Sequence, residues 1–141
     1  MKIEILLVDD DRIFNLLHTR FFEKVGVEKS LLKSFRTGEE CLAYLDDQNN
    51  VEERLFLVLL DISMPVMDGW DFLELLRERD YRSSIQVIMV SSSVDGADKE
   101  RAMKYDQVVD YIEKPLSPRY IDGMKNNKEL TKLFNGGDLQ K

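Results

Sequence analysis

The residue whose chemistry stands out is Asp61, which ends the apolar run "LFLVLL". A carboxylate at the end of a buried strand must be hydrogen-bonded, bound to a cation or used in a reaction, because burying it alone is costly. Other polar groups follow apolar runs elsewhere in the chain. They are the acidic pair Asp9 and Asp10 after "KIEILLV", Ser91 after "IQVIMV" and Lys114 after "VVDYIE". These positions suggest one site assembled from several strands.

Short apolar runs alternate with segments whose apolar residues recur at helical spacing. The five predicted strands are "KIEILLV", "LLKSFR", "LFLVLL", "IQVIMV" and "VVDYIEK", and a helical segment follows each. "LFLVLL" is continuously apolar, as a central strand covered on both faces should be. The sequence therefore predicts an α/β fold with a doubly wound, five-stranded parallel sheet in the flavodoxin-like order 2-1-3-4-5 and helices on both faces.

Several helix starts carry local signals. Thr37 with Glu40 three residues later is a capping-box pattern that opens the second helix. Asp68 is a candidate N-cap of the third helix, "DGWDFLELLRERD", and Asp71 lies near the positive end of its dipole. Pro118 suits the first turn of the last helix, "SPRYIDGMKNN".

The carboxyl ends of parallel strands meet at one edge of such a sheet, where sites form. There Asp9, Asp10 and Asp61 would converge, with Ser91 and Lys114 beside them. Clustered carboxylates repel unless a cation is present, and Mg²⁺ favours oxygen ligands. An aspartate can also carry a phosphoryl group, whose oxygens Mg²⁺, the lysine and the serine hydroxyl would neutralise. The first strand-helix turn, "DDDRIF", has no glycine and does not resemble a cradle for a nucleotide or flavin phosphate.

Composition limits the function classes. The 141 residues are 33% charged and 43% hydrophobic, as in a single globular domain. No apolar run approaches the roughly 20 residues that span a bilayer, so we expect no membrane partner and a cytoplasmic protein. The net charge of −7 argues against a nucleic-acid partner. The only cysteine, Cys41, is interpreted as a small buried hydrophobe.

Four features together resemble the receiver domain of two-component response regulators. They are the acidic pair in "LLVDDD", the segment "DISMPVMDG", Ser91 after an apolar strand, and "YIEKP". The resemblance runs from about Lys2 to about Asn127, so the predicted receiver domain is 1–127. Residues 128–141 are predicted to be a C-terminal extension, either a short helix or a disordered tail.

The resemblance assigns a role to each site residue. It makes Asp61 the phosphoacceptor and gives Mg²⁺ the ligands Asp9, Asp10, Asp61 and the backbone carbonyl of Ser63, with Asp10 bound directly and Asp9 through water. It makes Ser91 the switch hydroxyl, Lys114 the catalytic lysine and Tyr111 the aromatic switch residue. It also implies a cis peptide bond between Lys114 and Pro115.

The resemblance implies a phosphorylation-dependent switch that accepts a phosphoryl group from a histidine kinase or a phosphotransfer protein. Such a chain is not a metabolic enzyme, since it catalyses only its own phosphorylation and dephosphorylation. The phosphoryl group adds about −1.5 to −2 charges and should draw Ser91 inward, freeing volume into which Tyr111 packs. Output then passes by contact with an unknown target protein, and a phosphorylation-dependent homodimer is left open.

Two other function classes stay open. One is an interaction module that works without phosphorylation. The other is an aspartate-nucleophile phosphatase, although such enzymes want a second acid at the position that Ser63 occupies. The chain also departs from the receiver pattern at Ser92 and in "YDQVVD", which puts the output face near the fourth and fifth strands in doubt. Ser63 and Ser93 are expected to tune the phosphate lifetime.

Each site residue also has an ordinary structural interpretation. Standing alone, the acidic triplet Asp9 to Asp11 would be a helix-capping loop, Ser91 part of a turn, Lys114 a surface residue and Tyr111 a half-buried strand residue. His18 is predicted to be a surface or boundary residue of the first helix. Core or partner-surface positions are both open for Met64, Met67 and Trp70.

Overall fold

The computed structural model describes residues 2–48, 54–92 and 95–124 as an alternation of strands and helices. The strands are β1 (Lys2–Val8), β2 (Leu32–Phe35), β3 (Arg54–Asp61), β4 (Ile85–Ser91) and β5 (Val108–Glu113). The helices are α1 (Arg12–Lys24), α2 (Gly38–Asp46), α3 (Gly69–Leu76), α4 (Gly96–Ala102) and α5 (Pro118–Gly123).

The five strands form one parallel sheet in the order β2-β1-β3-β4-β5. The central strand β3 pairs with β1, Val8 lying opposite Leu60, and with β4, Asp61 lying opposite Val90. The predicted fold class and strand order are therefore confirmed. Because β1, β3 and β4 are adjacent and parallel, their carboxyl ends lie side by side.

The two faces of the sheet bury separate apolar layers, as alternation along the strands requires. In β3, Val58 packs in a layer with Leu45 of α2 and Phe72 of α3, whereas Leu57 packs in a layer with Phe22 of α1. The first layer also contains Ala102 of α4 and the second contains Ile121 of α5. Helices therefore cover both faces, and β3 is apolar from Leu55 to Leu60 because both of its sides are inside.

The helix starts agree with the sequence signals. The Thr37 hydroxyl accepts the Glu40 N–H at 3.1 Å, and Asp68 and Asp71 form a reciprocal capping box. Ser117 caps α5, with Pro118 in its first turn.

The end of α3 differs from the prediction, since the helix stops at Leu76 instead of continuing through "RERD". The Arg79 guanidinium makes two hydrogen bonds to the Asp46 carboxylate at the end of α2, of 2.9 and 3.0 Å. The Tyr81 hydroxyl donates to the same carboxylate at 2.5 Å. These contacts hold the turn after Leu76 against the end of α2.

Strand β5 carries an irregularity where the sequence departs from the receiver pattern. Val87 lies opposite Val108, but Ile88 lies opposite Asp110, so Val109 is an extra residue in the ladder. Such a bulge bends a strand and increases its local twist. This bulge lies at the start of β5, within "YDQVVD" and several residues before Lys114. The effect of these departures on the output face stays a prediction.

No helix in the described part of the chain is long and apolar enough to cross a membrane.

Two sequence predictions concern residues that the structure does not describe. The predicted extension 128–141 lies outside the described residues, and Ser93 does as well. The domain boundary at residue 127 stays a prediction.

Candidate functional site

Three carboxylates meet at the carboxyl edge of the sheet, as predicted. Each of Asp9, Asp10 and Asp61 offers one oxygen, and these oxygens all lie within 4.8 Å of one another. Asp9 and Asp61 are buried, while Asp10 is half-buried at the mouth of the cluster. Such a set of oxygen donors suits a hard divalent cation such as Mg²⁺.

Lys114 reaches into this cluster from the end of β5. Its Nζ lies 2.8 Å from Asp9 Oδ2 and 3.4 Å from Asp61 Oδ1, and it sits 4.3 Å from the centre of the Phe14 ring. Its side chain is only 9% exposed, which rules out the surface interpretation. One ammonium therefore bridges two carboxylates, and the cluster of three keeps an excess of negative charge.

The charge excess disturbs the titration of the cluster. Burial and, to a smaller extent, the Asp9 charge raise the pKa of Asp61 to about 6, although Lys114 opposes both. Burial also raises the pKa of Asp9, against the hydrogen bond from Lys114. Burial alone would lower the pKa of Lys114, but its bonds to these two carboxylates raise it. A divalent cation would relieve the repulsion and favour the ionised aspartates.

The loop from β1 to α1 is held by side chains on both of its flanks. The Asp9 carboxylate accepts the Asp11 N–H at 2.9 Å, and Asp11 in turn caps α1 through the Ile13 N–H. Asn15 donates from Nδ2 to the Asp9 carbonyl at 3.0 Å and to the Phe35 carbonyl at 3.3 Å. Asn15 is a positioning residue that the sequence did not reveal, because an amide among apolar helix residues carries no local signal.

The loop after Asp61 explains the Asp68–Gly69 pair of the motif. A Cβ on Gly69 would lie 2.9 Å from the Ile62 Cα and 3.0 Å from the Asp61 carbonyl oxygen, so only glycine permits this approach. The Gly69 N–H donates to the Ile62 carbonyl at 2.8 Å. The Ser63 N–H donates to Asp61 Oδ1 at 3.3 Å, which orients the carboxylate. The role of the Ser63 carbonyl stays a prediction.

Ser91 and Tyr111 lie inside the molecule near this edge. Ser91 is 7% exposed, and its carbonyl accepts the Lys114 N–H at 2.7 Å. Tyr111 is 4% exposed and packs in the layer that contains Met89, so it is not the half-buried residue of the ordinary interpretation. Because this ring is already in the core, a switch that involves Tyr111 would act by repacking. The Lys114–Pro115 bond is cis, as predicted.

The prediction for His18 is wrong. The side chain is 3% exposed, and its Nε2 accepts the Leu116 N–H at 3.0 Å. Burial, with a smaller contribution from Lys114, lowers the pKa of His18 to about 4. A lone histidine on a helix is ordinarily a boundary residue, but this one faces the loop after β5 across the inside of the protein.

The remaining open positions are divided between core and surface. Met64 is buried in the α2 and α3 layer, and Met67 and Trp70 are partly buried against it. The Trp70 ring also stacks near Tyr105, with ring centres 6.5 Å apart. Cys41 is fully buried, and burial raises its pKa, as a small core residue requires.

A family of known proteins shares this arrangement. The family described as "Response regulator receiver domain" matches residues 5–124. The chain belongs to this family. Receiver domains are the signalling modules of response regulators in two-component phosphorylation systems. The acidic cluster of Asp9, Asp10 and Asp61 fits the phosphorylation site of such a receiver.

Four curated relatives show how far the likeness extends. The "Probable methanogenesis regulatory protein FilR2" of Methanothrix harundinacea is 32% identical over 131 residues, which are 92% of this chain and 81% of the relative. The "Protein-glutamate methylesterase/protein-glutamine glutaminase 1" of Paramagnetospirillum magneticum is 38% identical over 125 residues, 86% of this chain but 30% of the relative. This receiver spans only 53% and 48% of two transcriptional regulators of Pseudomonas aeruginosa, so the activities of those longer proteins are not carried over.

Solved structures agree with the fold. A two component response regulator from Cytophaga hutchinsonii has a TM-score of 0.76 and 28% identity, covering 96% of this chain and 99% of that one. The chemotaxis protein CheY4 of Vibrio cholerae has a TM-score of 0.72 at 18% identity, covering 90% of this chain and 99% of that one, which shows the fold alone.

Proposed function

We propose that the receiver accepts a phosphoryl group on Asp61 and uses Mg²⁺ for this reaction. The observation that carries the proposal is the placement of Lys114 Nζ, 3.4 Å from Asp61 Oδ1, inside a cluster of three carboxylates. A structural ion pair would need one carboxylate, whereas this site holds three against one ammonium. Phosphoryl transfer depends on positioning and on charge neutralisation, which this arrangement supplies.

The donor we propose is a phosphohistidine of a sensor histidine kinase or of a phosphotransfer protein. An ionised Asp61 oxygen attacks the phosphorus, the new O–P bond forms as the N–P bond breaks, and the imidazole leaves with the electron pair. Lys114 lies where its ammonium would meet a phosphoryl oxygen on Asp61, and Ser91 ends the neighbouring strand. Hydrolysis of the acyl phosphate would reset the receiver.

The metal would be held by the three carboxylates and, by the family pattern, by the Ser63 carbonyl. The donor set fits Mg²⁺ because it consists of oxygens with an excess of negative charge. When bound, Mg²⁺ supplies neutralisation of the charge on the phosphoryl oxygens. Asp9 already bonds Lys114 at 2.8 Å, while no ion pair involves Asp10 in the described residues. This difference supports Asp10 as the direct ligand and Asp9 as the ligand through water.

The signal would leave the receiver by protein contact. Phosphorylation would change the hydrogen bonding of Ser91, which ends β4. Strand β4 pairs with β5, and Tyr111 of β5 packs in the apolar layer that also contains Ala102 of α4. A target protein, or a second copy of the receiver, would read the surface formed by α4, β5 and α5. We place this switch in the cytoplasm, where histidine kinases present their phosphohistidine.

Intact-mass spectrometry after incubation with acetyl phosphate tests the proposal. The natural chain, Asp61→Asn and the matched control Asp47→Asn are each incubated with Mg²⁺ or with EDTA. The control removes an exposed carboxylate at the end of α2 that is not part of the cluster. We expect a gain of one phosphoryl group in the natural chain and in Asp47→Asn with Mg²⁺, and none in Asp61→Asn or with EDTA.

Other outcomes would overturn the proposal in different ways. A gain that persists in Asp61→Asn would move the acceptor to another residue, and a gain in EDTA would remove the metal from the reaction. No gain under any condition would favour an interaction module that works without phosphorylation. Continuous hydrolysis of small phosphoesters would revive the phosphatase alternative.

A further inference from the structure

We propose that His18 is a positioning residue for Lys114, acting through the backbone of the loop between β5 and α5. This inference rests on the proposed function, because it assigns His18 a part in phosphorylation of Asp61. His18 lies on α1, and the residue that it contacts, Leu116, lies 98 residues further along the chain.

The hydrogen bond has only one chemical form. A backbone N–H can only donate, so His18 Nε2 must carry a lone pair and the neutral ring holds its proton on Nδ1. Leu116 is 1% exposed and His18 is 3% exposed. Water cannot replace either partner there, and an unpaired buried N–H is costly. The bond therefore fixes the position of the Leu116 backbone relative to α1.

The same loop is held from the other side by the sheet. The Lys114 N–H donates to the Ser91 carbonyl at 2.7 Å, and the Leu116 N–H donates to His18 two residues later. The backbone on both sides of Pro115 is thus attached to two elements, β4 and α1. These two hydrogen bonds therefore fix the position of the Lys114 Cα, from which the side chain extends to the carboxylates.

Helix α1 contacts the other end of the lysine as well. The Lys114 ammonium sits 4.3 Å from the centre of the Phe14 ring, and the Phe14 and His18 rings lie one helical turn apart with centres separated by 6.2 Å. One face of α1 therefore contacts the Lys114 ammonium through Phe14 and holds the backbone after Lys114 through His18. This support is what brings Nζ to 2.8 Å from Asp9 and 3.4 Å from Asp61.

A buried histidine that merely fills space would predict a different result from one that positions Lys114. We would compare His18→Leu, which removes the acceptor, with His18→Gln, which offers an acceptor at a similar reach. Phe22→Leu is the matched control, because Phe22 lies on the same helix and is fully buried, and its ring has no polar atom that could accept a hydrogen bond from the loop. Thermal unfolding reports how much each variant loses in stability.

The first readout is the rate of phosphorylation by acetyl phosphate at saturating Mg²⁺. We expect His18→Leu to be slower by about tenfold to a hundredfold, because a small displacement of a catalytic group has effects of that size. His18→Gln should recover much of the rate, and Phe22→Leu should keep it while losing stability. In the Lys114→Met background, His18→Leu should slow the reaction no further, because both changes act on the same group. Equal slowing in both backgrounds would overturn the proposal.

The second readout does not depend on phosphorylation. In NMR spectra of the natural chain we expect a scalar coupling across the hydrogen bond between the Leu116 nitrogen and His18 Nε2. The side-chain resonances of Lys114 should move in His18→Leu and stay in place in Phe22→Leu. If acetyl phosphate fails to modify the natural chain but the Lys114 resonances move, the proposed function falls and the positioning role stands. Unmoved Lys114 resonances would overturn the positioning role in either case.

Discussion

Strand β1 carries a buried carboxylate near each of its ends, and the two are treated differently. Glu4 is 6% exposed and meets two cations and a hydroxyl, with Arg54 at 3.0 Å, Lys33 at 3.9 Å and the Tyr44 hydroxyl at 2.6 Å. At the other end, Asp9 shares one lysine with Asp61 while Asp10 lies beside them. The first cluster is satisfied by the protein itself, and the second is not.

The difference separates a structural charge from a chemical one. Around Glu4, cations exceed carboxylates, so the group is stable without any ligand. Around Asp61, carboxylates exceed cations by two, and burial raises the pKa of that side chain to about 6. A fold has no need for such repulsion at an edge where sites form, so we interpret it as the condition for binding a metal and a phosphoryl group.

Removal of Arg54 from the Glu4 cluster should have the largest effect on stability. Arg54 is 16% exposed in its side chain and pairs with Glu4. Arg54→Met should lower the free energy of unfolding by about 3 kcal/mol, since it leaves the buried Glu4 charge with the Tyr44 hydroxyl and only one distant cation, Lys33. Urea unfolding at neutral pH measures the change.

The control for that prediction lies in the same cluster. Lys33 is 39% exposed and its Nζ is 3.9 Å from Glu4, so Lys33→Met should cost less than about 1 kcal/mol. Equal losses for the two variants would mean that the Glu4 cluster is not organised around Arg54.

Removal of a charge from the Asp61 cluster should instead raise the free energy of unfolding. In EDTA, Asp61→Asn should stabilise the protein by about 1–3 kcal/mol at pH 7, because it removes a charge whose ionisation the fold disfavours. Since the pKa of Asp61 is raised from 3.8 to about 6, the natural protein bears no such penalty below about pH 4. The penalty grows between those two values and is constant above them.

Urea unfolding between pH 4 and pH 8 measures this effect, with Glu4→Gln as the matched control. Glu4→Gln should destabilise, because it removes the centre of a satisfied cluster. Stabilisation by Glu4→Gln, or a difference between Asp61→Asn and the natural protein that does not grow with pH, would break the distinction between the two ends.

The distribution of these groups along the chain decides what could be predicted from the sequence. Strand ends carry a local signal, so the positions of Asp9, Asp61 and Lys114 at one edge of the sheet follow from the residue pattern alone. The position of His18 does not, since its partner is 98 residues away and a single histidine has no periodicity of its own. Asn15 and Glu4 were missed because their partners come from other elements. Asn15 of α1 donates to carbonyls at the ends of β1 and β2, and Glu4 pairs with Arg54 of β3 and Lys33 of β2.

The loop after Asp61 has one further property that neither pattern nor motif indicates. Val66 has a φ of 69° and is 92% exposed, and the Met67 N–H donates to the Pro65 carbonyl at 2.9 Å across it. A β-branched residue is strained in this left-handed region, where glycine or asparagine fits more easily. The loop beside the unsatisfied site is therefore strained as well as charged.

Relief of that strain should give the smallest effect of the three. We expect Val66→Asn to raise the free energy of unfolding by about 1 kcal/mol, because asparagine tolerates a positive φ and no buried contact is lost. Thermal unfolding measures the gain, and Val66→Ile, which keeps the branch and the strain, is the control and should change little. A gain in Val66→Ile as large as that in Val66→Asn would point to the side-chain surface instead of the backbone.

If Val66→Asn stabilises the fold without changing the rate of phosphorylation by acetyl phosphate, strain in this loop is separate from the chemistry of Asp61. If the rate falls as stability rises, the strained turn is part of how the loop presents the aspartate.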